Sequence, residues 1–167
     1  MSDFDLGFRK TTVQYLREYI GDEDKLIFPS DDDLDVFLRN RINWGVYTEK
    51  LNCFKGHFYS VTSGPVLDLS ITSGTTGDRY RADECTKHIE WISGTGGMPA
   101  DNSTIEVSYV DVNFFAVVKD VLMAIATDRS KLAVKAQAEG MQTDLTVLRR
   151  EIMAQIASIG AVTYWGR

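Results

Sequence analysis

Asp111–Ile159 reads DVNFFAVVKDVLMAIATDRSKLAVKAQAEGMQTDLTVLRREIMAQIASI. Phe114, Val118, Val121, Leu122 and Ile125 recur at helical spacing in its first part. Leu145, Leu148, Ile152, Ile156 and Ile159 do so in its last part, with a weaker pattern between. Apolar residues at steps of three and four form one stripe of a helix, and that stripe is buried against a partner. Thr143 or Asp144 is placed to cap the last helix, because a short oxygen side chain accepts a free backbone N–H there. Gly140 is a natural stop for the middle one, since glycine adopts positive φ at little cost. The stretch contains no catalytic motif. It reads as a helical scaffold that packs on itself and on something else.

The whole chain has 167 residues, which predicts one domain with room for a modest second lobe. A hydrophobic content of 44% is enough to build a core. Twenty-four acidic against 18 basic residues give a formal charge of −6. That balance argues against a protein whose main work is gripping phosphate, and fits a surface that lets nucleic acid pass without sticking. No apolar run is long enough to span a bilayer, and the opening MSDFDLGFRK has acids where a secretory signal has an apolar core. Two cysteines, Cys53 and Cys85, are too few for a disulfide framework, so synthesis in a reducing, intracellular compartment is expected.

In chain order, residues 1–9 are a polar arm carrying Phe4, Leu6 and Phe8, ordered on docking. Thr12–Ile20 is expected to be helical, with Val13, Leu16 and Ile20 on one face, Thr11 or Thr12 as cap and Gly21-Asp22 as stop. Ser30 is the expected N-cap of a second helix, and Asp31, Asp32 and Asp33 fill its first turn, where negative charge suits the dipole. Leu34, Phe37, Leu38 and Ile42 form its stripe. After Trp44 the character changes, and from about Phe54 to Tyr109 the helical period is gone. HFYSVT (57–62), VLDLSIT (66–72), HIEWIS (88–93) and TIEVSYV (104–110) read as strands, divided by glycine and serine clusters at 63–65, 73–78 and 93–97. VLDLSIT alternates, with Val66 and Asp68 opposed to Leu67 and Leu69. The expected fold class is therefore α+β: a helical bundle built from the N-terminal and C-terminal helices, with a small antiparallel β-lobe inserted. Its segments are 1–52 (arm and helices), 53–110 (lobe) and 111–167 (helical region and docking tail), the first and last forming one compact domain.

Four motifs are weighed beside plainer explanations. DDDLD at 31–35 has the acid spacing of a calcium loop, but Val36 and Ile42 stand where the loop needs glycine and glutamate, so helix capping is preferred. SGTTGD and SGTGGMP are glycine-rich, yet Met98-Pro99 replaces the Lys-Ser/Thr and helix of a phosphate loop, so hairpin tips are preferred. Cys53, His57, Cys85 and His88 are all the cysteines and histidines of the chain, paired as Cys-x3-His and Cys-x2-His. Two sulfurs and two nitrogens suit tetrahedral zinc, which gives a second reading, a small zinc-binding interaction module. The preferred reading assigns no metal and no cofactor. An enzyme is the third reading; Cys85 with His88 is its only local candidate, and no nucleophile motif accompanies it.

Two stretches carry a family resemblance. YLREYIGDEDKLIFPSDDDLDVFLRNRINW (15–44) has a short helix, an acidic Gly-Asp turn, and a capped Asp-Leu-x-x-Phe-Leu helix. VSYVDVNFFAVVKDVLMAIATDRSKLAVKAQAEGMQTDLTVLRREIMAQIA (107–157) has a long helix ending Ala-x-Asp, a lysine-bearing middle segment and a Thr-Asp-Leu helix start. Together, covering about half of the residues, they resemble the head-to-tail adaptor (connector, or head completion) proteins of tailed bacteriophages. The resemblance implies a structural virion protein, not an enzyme, made in the host cytoplasm and located at the head–tail interface. It implies a ring of copies, typically twelve, beneath the portal protein. The ring extends the DNA channel without sequence-specific binding and presents a surface to the next neck or tail protein. It also implies that the C-terminal segment docks on the portal, giving Val162, Tyr164, Trp165 and Arg167 a partner-binding role. The region between Phe54 and Tyr109 is longer than in compact members of that family.

Overall fold

The structure, a computed structural model, describes residues 8–60, 64–73, 80–91, 99–140 and 144–164. The glycine clusters at 74–78 and 93–97, the arm residues Phe4 and Leu6, the candidate cap Thr143, and Trp165 and Arg167 lie outside the described residues. The strands are β1 (Phe8–Lys10), β2 (Ile42–Phe54), β3 (His57–Tyr59), β4 (Val66–Ser73), β5 (Tyr80–Asp83), β6 (His88–Trp91) and β7 (Thr104–Val112). The helices are α1 (Thr12–Ile20), α2 (Asp31–Arg39), α3 (Phe114–Thr127), α4 (Arg129–Ala138) and α5 (Leu145–Tyr164). The chain divides into two compact units. One comprises Met1–Tyr15 and Ile42–Val112, and the other Leu16–Arg41 and Asn113–Arg167.

The first unit is a single curled sheet with strand order β1-β5-β6-β3-β2-β7-β4. Its long central pair, β2 and β7, is antiparallel, with Tyr47 opposite Tyr109, Glu49 opposite Val107 and Leu51 opposite Ile105. Side chains alternate between faces along a strand, so Tyr47, Glu49, Leu51 and Cys53 point to one side and Thr48, Lys50 and Asn52 to the other. The inner side collects Leu51, Cys53, Phe58, Val66, Leu69, Ala82, Ile89, Ile105 and Val107 into one core. Each large member contributes about 1.5–3 kcal/mol by leaving water. The curl brings the two edge strands together at one end. The Val66 N–H donates to the Glu84 carbonyl (2.9 Å) and the Glu84 N–H to the Lys10 carbonyl (3.0 Å). The buried Thr12 completes this seam: its hydroxyl donates to the Val66 carbonyl and its N–H to the Glu84 carboxylate (3.0 Å).

The second unit is helical. α3 buries Phe114, Val118, Val121, Leu122 and Ile125, the stripe its spacing predicts, and α5 buries Leu148, Ile152, Ile156 and Ile159. Ser30 caps α2 by accepting from the Asp32 N–H (3.1 Å), and Asn113 caps α3 by accepting from Ala116. Asp128 caps α4, taking the Ser130 N–H and hydroxyl and the Lys131 N–H, and these hydrogen bonds hold its carboxyl down to about 2. Asp144 caps α5 by accepting the Thr146 N–H (2.9 Å), a hydrogen bond that lowers its carboxyl. Gly21 and Gly140 both take positive φ (72° and 67°) where α1 and α4 stop, a backbone region that other residues enter at a cost.

The expected fold class is overturned: the β region is a seven-stranded, half-barrel-like sheet with its own core, and the helices are not a bundle carrying a small lobe. The sheet begins at Ile42, so residues 42–52, expected within the helical part, are strand. β2 is hard to read because its inner row, Tyr47, Glu49, Leu51 and Cys53, is interrupted by a glutamate, and its outer row includes the exposed apolar residues Val46 and Phe54. β1 and β5, of three and four residues, are too short to show a period. VLDLSIT also departs from simple alternation. Asp68 takes φ 55° and the register with β7 shifts between Leu67 and Ser70, so Val66, Leu67 and Leu69 are all buried while Asp68 is exposed. A bulge of this kind turns consecutive apolar residues to buried positions. Ile42, expected in the stripe of α2, opens β2 instead.

Candidate functional site

The four metal-ligand candidates are not brought together. Cys53 belongs to the inner row of β2; it is buried in the sheet core and its thiol contacts the Pro99 carbonyl at 3.7 Å. Cys85 lies in the turn between β5 and β6, with its thiol 3.8 Å from the Thr11 carbonyl. His57 and His88 do meet, on the opposite face from Cys53. Phe58 pairs with Ile89 and both point into the core, so their neighbours His57 and His88 point outward. His57 Nδ1 and His88 Nε2 are 3.0 Å apart, with the two ring planes 11° from parallel. Tyr59 lies against His88, with ring centroids 4.7 Å apart and planes within 9°. Among the described residues no group of three or more histidines, cysteines or carboxylates is placed to hold a metal ion.

A second cluster, which sequence reasoning missed, sits on the inner face beyond the hydrophobic core. Lys87, at positive φ in the β5–β6 turn, buries its side chain there. Its amine is 3.6 Å from the Glu49 carboxylate, 3.5 Å from the Tyr109 hydroxyl and 4.7 Å from the centre of the Tyr109 ring. The Ser60 hydroxyl donates to Glu49 (2.9 Å), and so does the Tyr109 hydroxyl (3.3 Å). Burial and the adjacent Glu49 charge raise the Tyr109 phenol above its ordinary value. The one signal in the sequence is the two-residue step Glu49, Leu51, Cys53, which carries meaning only once β2 is known to be a strand.

In the helical unit the buried polar centre is Arg17 with Asp22. Arg17 Nη1 donates to Asp22 at 2.8 Å and Nε to Asp31 at 2.7 Å. Asp22 also accepts the N–H groups of Ile27 (2.8 Å) and Phe28 (3.0 Å), so it fixes the 21–30 loop ahead of α2. Hydrogen bonds from Lys25 and then Arg17 lower the Asp31 carboxyl. Lys135 reaches from α4 to the Ile20 carbonyl at the end of α1 (3.0 Å). A shallow cleft lined by Gly21, Asp22, Glu23, Asp24, Leu26 and Ala138 adjoins this centre. Its one buried carboxylate, Asp22, is already saturated by donors, which leaves the cleft no buried polar group to offer a ligand.

Apolar side chains remain exposed on each unit. Among the described residues they are Val46, Tyr47, Phe54 and Tyr59 on the sheet, and Tyr19, Leu26, Val36, Phe115, Met123 and Met153 on the helical unit. Val162 and Tyr164 fall in the last turn of α5, and Trp165 and Arg167 lie outside the described residues. No helix among the described residues is long and apolar enough to cross a membrane. No family model, no curated protein and no solved structure matches this chain.

Proposed function

We propose that the chain is a structural protein of the neck of a tailed bacteriophage. Copies of it assemble into a ring beneath the portal, extend the DNA channel, and dock the next neck or tail protein. One observation carries this reading. The two stretches that resemble head-to-tail adaptors, 15–44 and 107–157, are separated in the chain by most of the sheet, yet almost all of their residues fall into the one helical unit. Within it α2 and α5 both pack against α3. The same unit presents Leu26, Val36, Phe115 and Met153 to solvent, each more than two-fifths exposed, which are apolar groups a neighbouring copy would cover. A head-to-tail contact that closes on itself makes a ring. The formal charge of −6 suits a channel that DNA crosses without lodging. In this reading the role is non-enzymatic, and the C-terminal residues Val162, Tyr164, Trp165 and Arg167 meet the portal.

The test is mass photometry with negative-stain imaging of the concentrated chain, alone and with portal. Rings of about a dozen copies, formed alone or templated by portal, are the expected result. Monomers throughout, with no density added to the portal, would overturn the assignment.

A further inference from the structure

We propose that His57 and His88 form a two-imidazole site for a borderline divalent transition metal such as Ni2+, Cu2+ or Zn2+, on the outer face of the sheet. The strand register sets up the pair. His57 on β3 lies opposite Glu90 on β6, and His88 lies opposite Tyr59, so the histidines are diagonal neighbours on one face. Diagonal pairs are ordinarily within reach of each other only through long or aromatic side chains. Here the ring centroids are 5.2 Å apart while the nearest nitrogens are 3.0 Å apart, so each ring aims a nitrogen at the other.

In the metal-free pair one of these nitrogens carries a hydrogen and the other a lone pair. A neutral imidazole moves its hydrogen to its other nitrogen by changing tautomer, after which both facing nitrogens offer lone pairs. Bonds of about 2.0–2.1 Å hold two such nitrogens about 3.3 Å apart on tetrahedral zinc and about 2.9 Å apart at cis positions of square-planar or octahedral copper or nickel. The nitrogens therefore shift by only a few tenths of an ångström, while each ring tilts by about 35° to turn its lone pair from the other nitrogen onto the ion. Tyr59 against His88 limits how far that ring swings. Glu90 opposite His57 and Asp83 opposite His88 place two carboxylates on the same face against one cation, Arg81 opposite Glu90, a balance that favours a bound cation. Imidazole nitrogens select nickel, copper and zinc over magnesium or calcium, which take oxygen. With no third protein ligand among the described residues, the remaining positions stay open to water or to a donor from another molecule. This is a different site from a four-ligand zinc knot, because Cys53 is on the opposite face and takes no part. It does not depend on the neck assignment.

Titration calorimetry of the tag-free chain with NiCl2 tests it, with MgCl2 as control. One Ni2+ bound per chain, a melting temperature raised by a few degrees in excess Ni2+, and loss of both in His57→Asn and in His88→Asn are expected. Electron paramagnetic resonance of the Cu2+-loaded wild type needs no variant, and should show coupling to two imidazole nitrogens. Absence of Ni2+ binding, binding retained by either single variant, or a Cu2+ spectrum without two imidazoles would overturn the site.

Discussion

The helical unit and the sheet unit each bury a cation beside a carboxylate, and they hold it differently. In the helical unit Arg17 and Asp22 touch at 2.8 Å with side chains 4% and 1% exposed, and the carboxylate also takes two backbone N–H groups. In the sheet Lys87 and Glu49 stand 3.6 Å apart, and the glutamate is 19% exposed. The first pair organises a loop that has no regular structure to satisfy its backbone. The second lies where a hydrophobic core gives way to solvent, and its neighbours are side chains. A buried charge pair is weak evidence for net stability, but removing one partner is costly in proportion to how dry and saturated the pair is. The contrast thus predicts unequal responses to the same kind of substitution.

The largest effect belongs to Asp22→Ala. It strands the Arg17 guanidinium, whose Nη2 already lacks a partner among the described residues, and removes the acceptor of the Ile27 and Phe28 N–H groups. A loss of about 3–5 kcal/mol is expected in urea unfolding. Hydrogen exchange should rise first across residues 16–41, and a loss below about 1 kcal/mol would mean that the loop is held by something else. Glu49→Ala should cost less, about 1–3 kcal/mol, because Lys87 keeps its place over the Tyr109 ring and water reaches this end of the core. Equal losses in the two variants would erase the distinction between the pairs.

The smallest effect is at the exposed cap Asp128. Its carboxyl is held at about 2 in the folded chain, below the ordinary value of 3.8, first by the Ser130 hydroxyl and then by backbone N–H groups. A group with a depressed folded value contributes stability that is fully present above the unfolded value and is lost as pH falls through the folded one. Between about pH 4 and 2 the wild type should therefore lose stability that Asp128→Asn does not lose, a difference that disappears below about pH 2. Parallel acid-unfolding curves for the two proteins would contradict the assignment of the cap.

What the sequence disclosed follows the same division. The helical unit was legible because caps and stripes are local: Ser30, Asp144, Gly21 and Gly140, and the spacings in α3 and α5, all lie within one or two turns of what they control. Thr11 and Gln14 even form a reciprocal cap, each side chain accepting from the other's N–H (3.2 and 3.0 Å). The sheet was partly hidden because its strands are defined by partners far away in the chain. β2 shows its inner row only against β7, and β1 becomes a strand only beside β5. The side-chain clusters were less legible still. Local spacing paired Cys53 with His57 and Cys85 with His88, but strand alternation sends Cys53 inward and His57 outward, and it is register that joins His57 to His88. Lys87, Glu49 and Tyr109 come from three separate segments, and no local pattern marks them.

The central claim is that this chain works beside copies of itself at the phage neck, with the helical unit making the contacts. An asymmetric reconstruction of the intact virion at the head–tail vertex tests it most directly. The account predicts a ring of this chain under the portal, with Leu26, Val36, Phe115 and Met153 covered by neighbouring copies or by the portal. Neck density that this chain does not fit, or single subunits with those side chains facing solvent, would contradict it.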